Sequence, residues 1–348
     1  MIPRLIPGVH LVTGATGFLG GHLAERLVRN GCRVRVLTRS SSDTTLLDRL
    51  DVEKITGDLT EPSIAERACR GVDVVYHAAG KVVNWGPWSQ FERDIVEATR
   101  NLARAAQRSS VGRFVQISSV SACEYSGRKG LVCDETSSLV ERMRCWDHYG
   151  FAKAQAEREL WGLYDHGGLP LTVLRPAWIY GPRDRVIVPR FHRLLATGVL
   201  RILGDGRNLV STISVESVVD MCLRAAVDPQ AVGQAYNCSS DGPITQRELL
   251  DLWADAFGCP RPAHRVPYSF AFGAAFACEC AGHLLRRRTG PPVMRRSVEM
   301  LGRRPYFPTD KAQKQLGWRP AMSYREGIAQ AARWYLDDSN LRREGNVV

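Results

Sequence analysis

The sequence predicts an α/β protein: a doubly wound parallel sheet joined to a smaller, mostly helical C-terminal lobe. Three observations carry this. Between residues 9 and 176, short β-branched runs alternate with helical patterns, the rhythm of repeated β–α–β units. The first of these runs ends in Gly14, Gly17 and Gly20, which stand between a strand and a helix. After residue 182 the rhythm loosens into irregular helical segments rich in proline and aromatic residues.

Taken in order, the elements follow from local pattern. Residues 9–13 are a short strand, and the helix after the glycines places Leu19, Leu23 and Leu27 on one face before stopping at Asn30-Gly31. Residues 34–37, 73–77, 114–118 and 171–174 read as short buried strands. Helical patterns at 91–107 and 149–163 lie between them. Residues 235–238 read as one more strand returning to the sheet. Thr245, with Glu248 three residues later, opens a helix through Phe257 as a capping box. The expected organisation is a sheet domain at 1–182, with 208–240 returning to it, and a substrate lobe at 183–207 and 241–348.

Composition sets limits on function. A chain of 348 residues, 44% apolar and 24% charged, can bury a large core as an ordinary globular protein. No run approaches the ~20 apolar residues that span a bilayer. The longest, residues 270–285, carries Glu279 and reads as a buried or interfacial helix. The first eight residues hold two prolines and no apolar core of a signal peptide. Ten cysteines show no Cys-x-x-Cys pair and no metal spacing, so reduced thiols, a cytoplasmic location and no metal are expected. The net charge of +11 is almost all arginine, with clusters at 286–288, 295–296 and 303–304. A solvated surface is one reading of them and peripheral contact with an anionic membrane another. No nucleic-acid motif accompanies them, and nucleic acid is not an expected partner.

The chemistry concentrates in three places. The glycine turn lets the backbone bend tightly and lets a pyrophosphate approach a helix N-terminus, where free N–H groups favour an anion. In Tyr149-Gly-Phe-Ala-Lys153 a helix puts a phenol and an ammonium one turn apart on the same face. A free tyrosine titrates near ~10 and a nearby cation favours its phenolate, so the pair is suited to proton exchange near neutrality. The strand at 114–118 ends in Ser118-Ser119, where a hydroxyl at a strand's C-terminal end points into the ligand crevice of an open α/β sheet.

Together these residues resemble the extended short-chain dehydrogenase/reductases of the NAD-dependent epimerase/dehydratase superfamily, with a Rossmann-type sheet. The likeness runs over nearly the whole chain. It includes Thr13-Gly-Ala-Thr-Gly-Phe-Leu-Gly20, Gly57-Asp-Leu59, His77-Ala-Ala-Gly80, Ser118-Ser119 and Tyr149-x-x-x-Lys153. It continues through Leu174-Arg-Pro176, Tyr180-Gly-Pro182, Gly204-Asp-Gly206, Lys311-Ala and Leu316-Gly-Trp318-x-Pro320. The resemblance implies a catalytic group of Ser119, Tyr149 and Lys153: Tyr149 as acid–base, Ser119 as donor to the substrate oxygen, Lys153 holding the nicotinamide ribose and tuning Tyr149. It implies cofactor contacts from Thr13, Gly14, Thr16, Gly17, Phe18, Leu19 and Gly20, from Arg39, Asp58, Leu59, Ala78 and Ala79, and from Ser118, Tyr149, Lys153, Pro176 and Ala177. It also implies a homodimer through helices 91–107 and 149–163. One departure stands out: the family often carries an Asn on the helix before the serine strand, and Ile95 falls there, with Asp94 beside it.

The second strand ends Leu37-Thr38-Arg39, with no acid for a ribose 2′-OH and with an arginine suited to a 2′-phosphate. NADP is favoured, NAD being the alternative. Asp58 is read either as an adenine contact or as a helix cap. Where sugar-nucleotide members hold a diphosphate with an Asn and an Arg, this chain has Trp178 and Val210, and Val120-Ser-Ala-Cys123 follows the serine where a dehydratase needs a carboxylate pair. Trp85, Trp88, Trp146, His148 and Trp178 instead suit a small apolar substrate, although any one tryptophan would serve equally in core packing. His148 is also a candidate second acid–base. The pattern is similar to 3β-hydroxysteroid and sterol-4-carboxylate dehydrogenases and to bacterial reductases of long-chain keto acids. The implied reaction is hydride transfer to or from a secondary alcohol or ketone. A sugar-nucleotide epimerase and a non-catalytic nucleotide-binding redox sensor are the rival readings.

Overall fold

The computed structural model describes residues 5–82, 84–125, 132–240, 242–287, 289–303 and 305–337. Arg288 and Arg304 of the arginine clusters lie outside the described residues. The chain begins with β1 (Val9–Thr13), α1 (Phe18–Arg29), β2 (Arg33–Thr38), β3 (Val52–Thr56), α2 (Pro62–Cys69) and β4 (Val74–His77). A continuous helical stretch follows, made of α3 (Trp88–Phe91), a wider π-type segment at Glu92–Glu97 and α4 (Ala98–Arg108). Then come β5 (Arg113–Ile117), α5 (His148–Gly167), β6 (Leu171–Pro176), β7 (Trp178–Tyr180) and α6 (Ile187–Ala196). Three short strands, β8 (Ile202–Leu203), β9 (Leu209–Val210) and β10 (Thr212–Ser214), precede α7 (Val215–Val227) and β11 (Gln234–Cys238). The chain closes with β12 (Ile244–Thr245), α8 (Gln246–Phe257), β13 (Arg265–Val266), α9 (Tyr268–Leu284), α10 (Arg295–Gly302), α11 (Asp310–Leu316) and α12 (Tyr324–Asp337).

Seven strands form one parallel sheet in the order β3-β2-β1-β4-β5-β6-β11. Its direction of winding reverses between β1 and β4, so a crevice opens at the C-terminal ends of those strands. Alternation along β1 shows why the sheet is doubly wound. Val12 packs with Leu23, Leu27 and Val218 of α1 and α7 on one face, and Leu11 packs with Ala65 and Leu102 of α2 and α4 on the other. All the strands and helices expected from the sequence are present within a few residues of the expected ends. The capping box is present as well: Thr245 Oγ1 accepts the Glu248 N–H at 3.2 Å, and Glu248 Oε2 accepts the Thr245 N–H at 2.9 Å.

The lobe has its own core, in which Tyr180, Phe191, Trp253, Phe257 and Ile328 meet. The Phe191 and Trp253 rings stack 5.5 Å apart with 5° between their planes. Losing the Trp253 side chain would cost about 3–5 kcal/mol.

The expected domain bounds change at one place. Residues 310–318 do not belong to the lobe: Ala312, Leu316 and Trp318 are buried in the sheet domain's core, and Lys311 Nζ donates to the Ala235 carbonyl of β11 at 3.0 Å. Of the two readings of the apolar helix at 270–285, buried or interfacial, burial does not hold. It is α9, and only its Ala275, Glu279 and Gly282 are buried.

Candidate active site

The site grows from the turn after β1. Gly14 has φ +70°. A Cβ there would lie 2.7 Å from the Ala79 nitrogen, and one on Gly20 would lie 2.2 Å from the Gly14 carbonyl oxygen. Only glycine lets β1, α1 and the end of β4 approach so closely. Gly17 caps α1 without a side-chain hydrogen bond, and no acid stands in the first turn. The N–H groups there stay available to an anion, so the residues fit the pyrophosphate of a dinucleotide.

Behind the turn, Thr13 Oγ1 meets His77 Nδ1 at 2.7 Å, and His77 Nε2 meets Thr99 Oγ1 at 2.9 Å. Burial, with Lys153 adding to it, lowers the His77 pKa to about 3, which keeps the ring neutral. This is where Thr13 departs from expectation. It is fully buried and supports the Ala79 N–H from below at 3.3 Å rather than lining the crevice.

The candidate catalytic residues come from the end of β5 and the first turns of α5. Asp147 caps α5 by accepting the Gly150 N–H at 3.0 Å, and Asn84 Oδ1 accepts the Tyr149 N–H at 3.1 Å, so the start of the helix is fixed. Lys153 is buried and donates to the Ile117 carbonyl at 2.9 Å, with its Nζ 5.9 Å from the Tyr149 ring centre. Burial lowers the Lys153 pKa to about 8, with Glu157 opposing. Ser119 Oγ donates to Ser121 Oγ at 3.1 Å and accepts the Ser121 N–H at 3.1 Å. Ser118 donates instead to Glu157 at 2.8 Å, and Glu157 is held by Arg175 in a buried ion pair. Both serines line the crevice, but the Ser118 hydroxyl is engaged by Glu157, whereas Ser119 bonds only within its own turn.

Sequence reasoning missed one residue here. Arg296 was read as part of a surface cluster, yet it is 8% exposed and reaches from α10 of the lobe into the site. It pairs with Asp147, donates to Ser121 Oγ at 2.8 Å, and sets its guanidinium carbon 4.8 Å from the Tyr149 ring centre. Two cations thus face the phenol. The place of the family's Asn is taken by Ile95, which is buried among Phe91, Val96, Ala152 and Ala156 and puts no polar group there.

One cleft of about 1780 Å³ joins the glycine turn to Ser119, Tyr149, Lys153 and Arg296. Apart from Thr13, every expected cofactor residue lines it: Gly14, Thr16, Gly17, Phe18, Leu19, Gly20, Arg39, Asp58, Leu59, Ala78, Ala79, Ser118, Tyr149, Lys153, Pro176 and Ala177. Burial alone would raise the Asp58 pKa. The Thr60 amide and hydroxyl, at 2.9 and 2.8 Å, with Arg39 and Arg93 nearby, hold it below the usual carboxylate range. Asp58 thus caps the turn before α2 while facing the cleft. Arg39 is exposed at the rim, and Asp43, which the sequence reading did not weigh, lines the same rim 3.6 Å from Arg185.

Of the five aromatic residues expected around the substrate, Trp178 lines the cleft and the other four do not. Trp85 stacks on His283 at 4.3 Å, and Trp146 packs edge-on to Phe272 at 5.8 Å. Trp88 and His148 pack with Phe151 and Phe91 behind Tyr149. His148 Nδ1 is 3.3 Å from the Gly86 carbonyl, turned away from any second acid–base role. The apolar lining comes from the lobe instead: Ile187, Phe191, Leu194, Leu200, Leu203, Phe270, Val298 and Leu301. No local motif announces these residues. Val210 is buried in the lobe core.

Residues 10–239 match the model of the NAD dependent epimerase/dehydratase family. The 2-alkyl-3-oxoalkanoate reductase of Stenotrophomonas maltophilia is 32% identical over 324 residues, 91% of this chain and 96% of that one. The 4-hydroxy-2-methyl-3-oxo-4-farnesyl-3,4-dihydroquinoline-1-oxide ketoreductase of Stigmatella aurantiaca is 30% identical over 318 residues, 91% and 93% of the two chains. The 3beta-hydroxysteroid-dehydrogenase/decarboxylase isoform 2 of Arabidopsis thaliana is 28% identical over 342 residues, 91% of this chain and 60% of that one. A glycine turn at the sheet's switch point, a tyrosine–lysine pair beside a strand-end serine and a family match spanning more than half of the chain agree, and the chain belongs to the NAD-dependent epimerase/dehydratase family.

Proposed function

We propose that this protein is an NAD(P)-dependent oxidoreductase that moves a hydride between a nicotinamide and a secondary alcohol or ketone on an apolar substrate. The observation that carries this reading is one cleft in which Ser119, Tyr149 and Lys153 face lobe walls of Trp178, Phe191, Leu200 and Leu301. When bound, the nicotinamide supplies or accepts the hydride. Gly14, Gly17 and Gly20 would seat the pyrophosphate, and Lys153 would hold the nicotinamide ribose. In the direction of reduction, Tyr149 gives its proton to the developing alkoxide and Ser119 donates a hydrogen bond to the same oxygen. In oxidation the same groups act in reverse. The three relatives, by their names, act on an alkyl oxo acid, a farnesyl-bearing ketone and a hydroxysteroid, which share an apolar body and an oxygen function. A long-chain keto acid and a sterol are therefore the first substrates to try.

Arg39 at the adenosine end favours NADP. Asp43 shares that rim but is balanced by Arg185.

The test is a panel of long-chain 3-oxo acids, sterols and short ketones with NADPH and NADH. Tyr149→Phe should lower turnover by at least about 10²-fold, the usual size of an acid–base contribution, with cofactor affinity nearly unchanged. Turnover within a factor of three of the parent would overturn the role of Tyr149. The epimerase rival has a separate test, because Arg190 and Arg201 also line the cleft. Uridine diphosphate at millimolar concentration should leave the melting temperature unmoved, whereas a Kd of ~0.1 mM would add roughly 1 kcal/mol or more. Stabilisation by uridine diphosphate, with none by any apolar ketone, would favour the epimerase.

A further inference from the structure

We propose that the outward face of α9 docks on an anionic lipid surface and brings the rim of the cleft against it. The helix is 17 residues long and apolar almost all round, a composition that normally means burial. It is not buried. Phe270 is 69% exposed and Leu284 85%, and between them Ala274, Ala277 and Ala281 are exposed as well. Their spacings of four, three, four and three residues make one continuous strip along the helix. The helix's one acid, Glu279, is turned inward and paired with Arg295 at 2.6 Å, so the strip carries no charge.

Three observations select lipid as the occupant. First, Arg286 and Arg287 follow the helix, exposed, on a chain of net charge +11, which complements an anionic surface. Second, Phe270 and Ala274 also line the cleft, so the strip runs into its rim. A second copy of the chain seated there would crowd that rim, whereas a bilayer would present apolar molecules to it. Third, α9 lies along the surface and is too short to cross a membrane, the habit of an interfacial helix. The strip is also the kind of large apolar patch that soluble monomers rarely leave uncovered.

The experiment is flotation of the full chain with phosphatidylcholine vesicles, with and without phosphatidylglycerol. The protein should rise with the anionic vesicles and be released by high salt, which screens the arginines. Ala277→Glu/Leu284→Glu, on the strip but outside the cleft, should float at least about ten-fold less while keeping the parent melting temperature, because interfacial binding scales with apolar area. Arg286→Glu/Arg287→Glu should abolish the preference for phosphatidylglycerol. Failure to float with either vesicle would overturn the proposal. So would equal flotation on phosphatidylcholine alone that Arg286→Glu/Arg287→Glu leaves unchanged. A dimer seen by light scattering, split by Ala277→Glu/Leu284→Glu and bound to no vesicle, would assign the strip to a second copy of the chain. None of these readouts uses turnover, so docking and the proposed reaction fail separately.

Discussion

At the scale of one residue, Lys153 is a buried cation that costs the fold stability. Its ammonium is buried and its pKa falls from 10.5 to about 8, first because burial penalises the charge, with Glu157 pulling the other way. Between those two values the unfolded chain holds a proton that the folded chain has released. Stability therefore rises as pH climbs through that window, and below about pH 8 the buried cation costs on the order of 3 kcal/mol. Lys153→Met removes that cost but leaves the Ile117 carbonyl without its donor, a loss of about 1–3 kcal/mol. The variant should melt no lower than the parent at pH 7, and the parent should gain on it towards pH 10, while turnover disappears. Thermal melts of the cofactor-free proteins across that range check this, and a parent that loses ground as pH rises would contradict it. Arg39 offers a cleaner contrast, because only NADPH carries a 2′-phosphate. Arg39→Ala should weaken NADPH at least about ten-fold and NADH little, the loss expected of a charge-assisted pair. Fluorescence titration with both cofactors decides, and equal losses would remove the preference for NADP.

At the scale of elements, α1 is locked to the turn it follows. With only 2.2 Å between a Cβ on Gly20 and the Gly14 carbonyl oxygen, Gly20→Ala must push the helix away from the sheet. We expect a stability loss of about 1–3 kcal/mol, as for overpacking, and cofactor binding too weak to titrate. Unfolding by denaturant and a nucleotide titration test both parts. The same elements show what the sequence makes legible. Strands buried on both faces, such as Val74–His77, announce themselves as apolar runs, and the capping box marks α8 to the residue. β3 gave no such signal: Val-Glu-Lys-Ile-Thr is an edge strand that buries only Ile55. The glycine turn and the Ser119, Tyr149 and Lys153 group were readable because their spacing is local. The substrate walls were not. Trp85, Trp88 and Trp146 stand close in sequence to Asn84 or Tyr149, but their rings pack on His283, Phe151 and Phe272. Arg296 lies 147 residues from Tyr149 in the chain, and only the fold of the lobe brings the two together.

Across the whole molecule, α10 latches the lobe to the catalytic end of the sheet domain. Arg296 pairs with Asp147 at the cap of α5, and one turn later Glu299 accepts the Tyr125 hydroxyl at 2.8 Å and faces Arg144 at 3.6 Å. Two cations set against the Tyr149 ring are thus Lys153 and Arg296, with Asp147 partnering Arg296. Removing one member of a nearly buried ion pair is costly because the other charge stays behind, so Arg296→Met should lose about 3–5 kcal/mol of stability. Asp147→Asn/Arg296→Met removes both charges and should recover most of that loss, the amide still capping α5. If Arg296 only holds the lobe in place, the double variant should also recover turnover and the parent pH profile. If its guanidinium helps Tyr149 to hold a phenolate, turnover should stay low. The acid limb of the rate–pH profile for alcohol oxidation, where Tyr149 must lose its proton to act as the base, should then move to higher pH, because one of the two cations facing the ring is gone. Arg296→Lys, which keeps a cation but not the two-pronged contact with Asp147 and Ser121, should restore the profile in part. Unfolding curves and rate–pH profiles on the same four proteins separate the latch from its electrostatic effect. A parent-like profile in the double variant would reduce Arg296 to the latch alone.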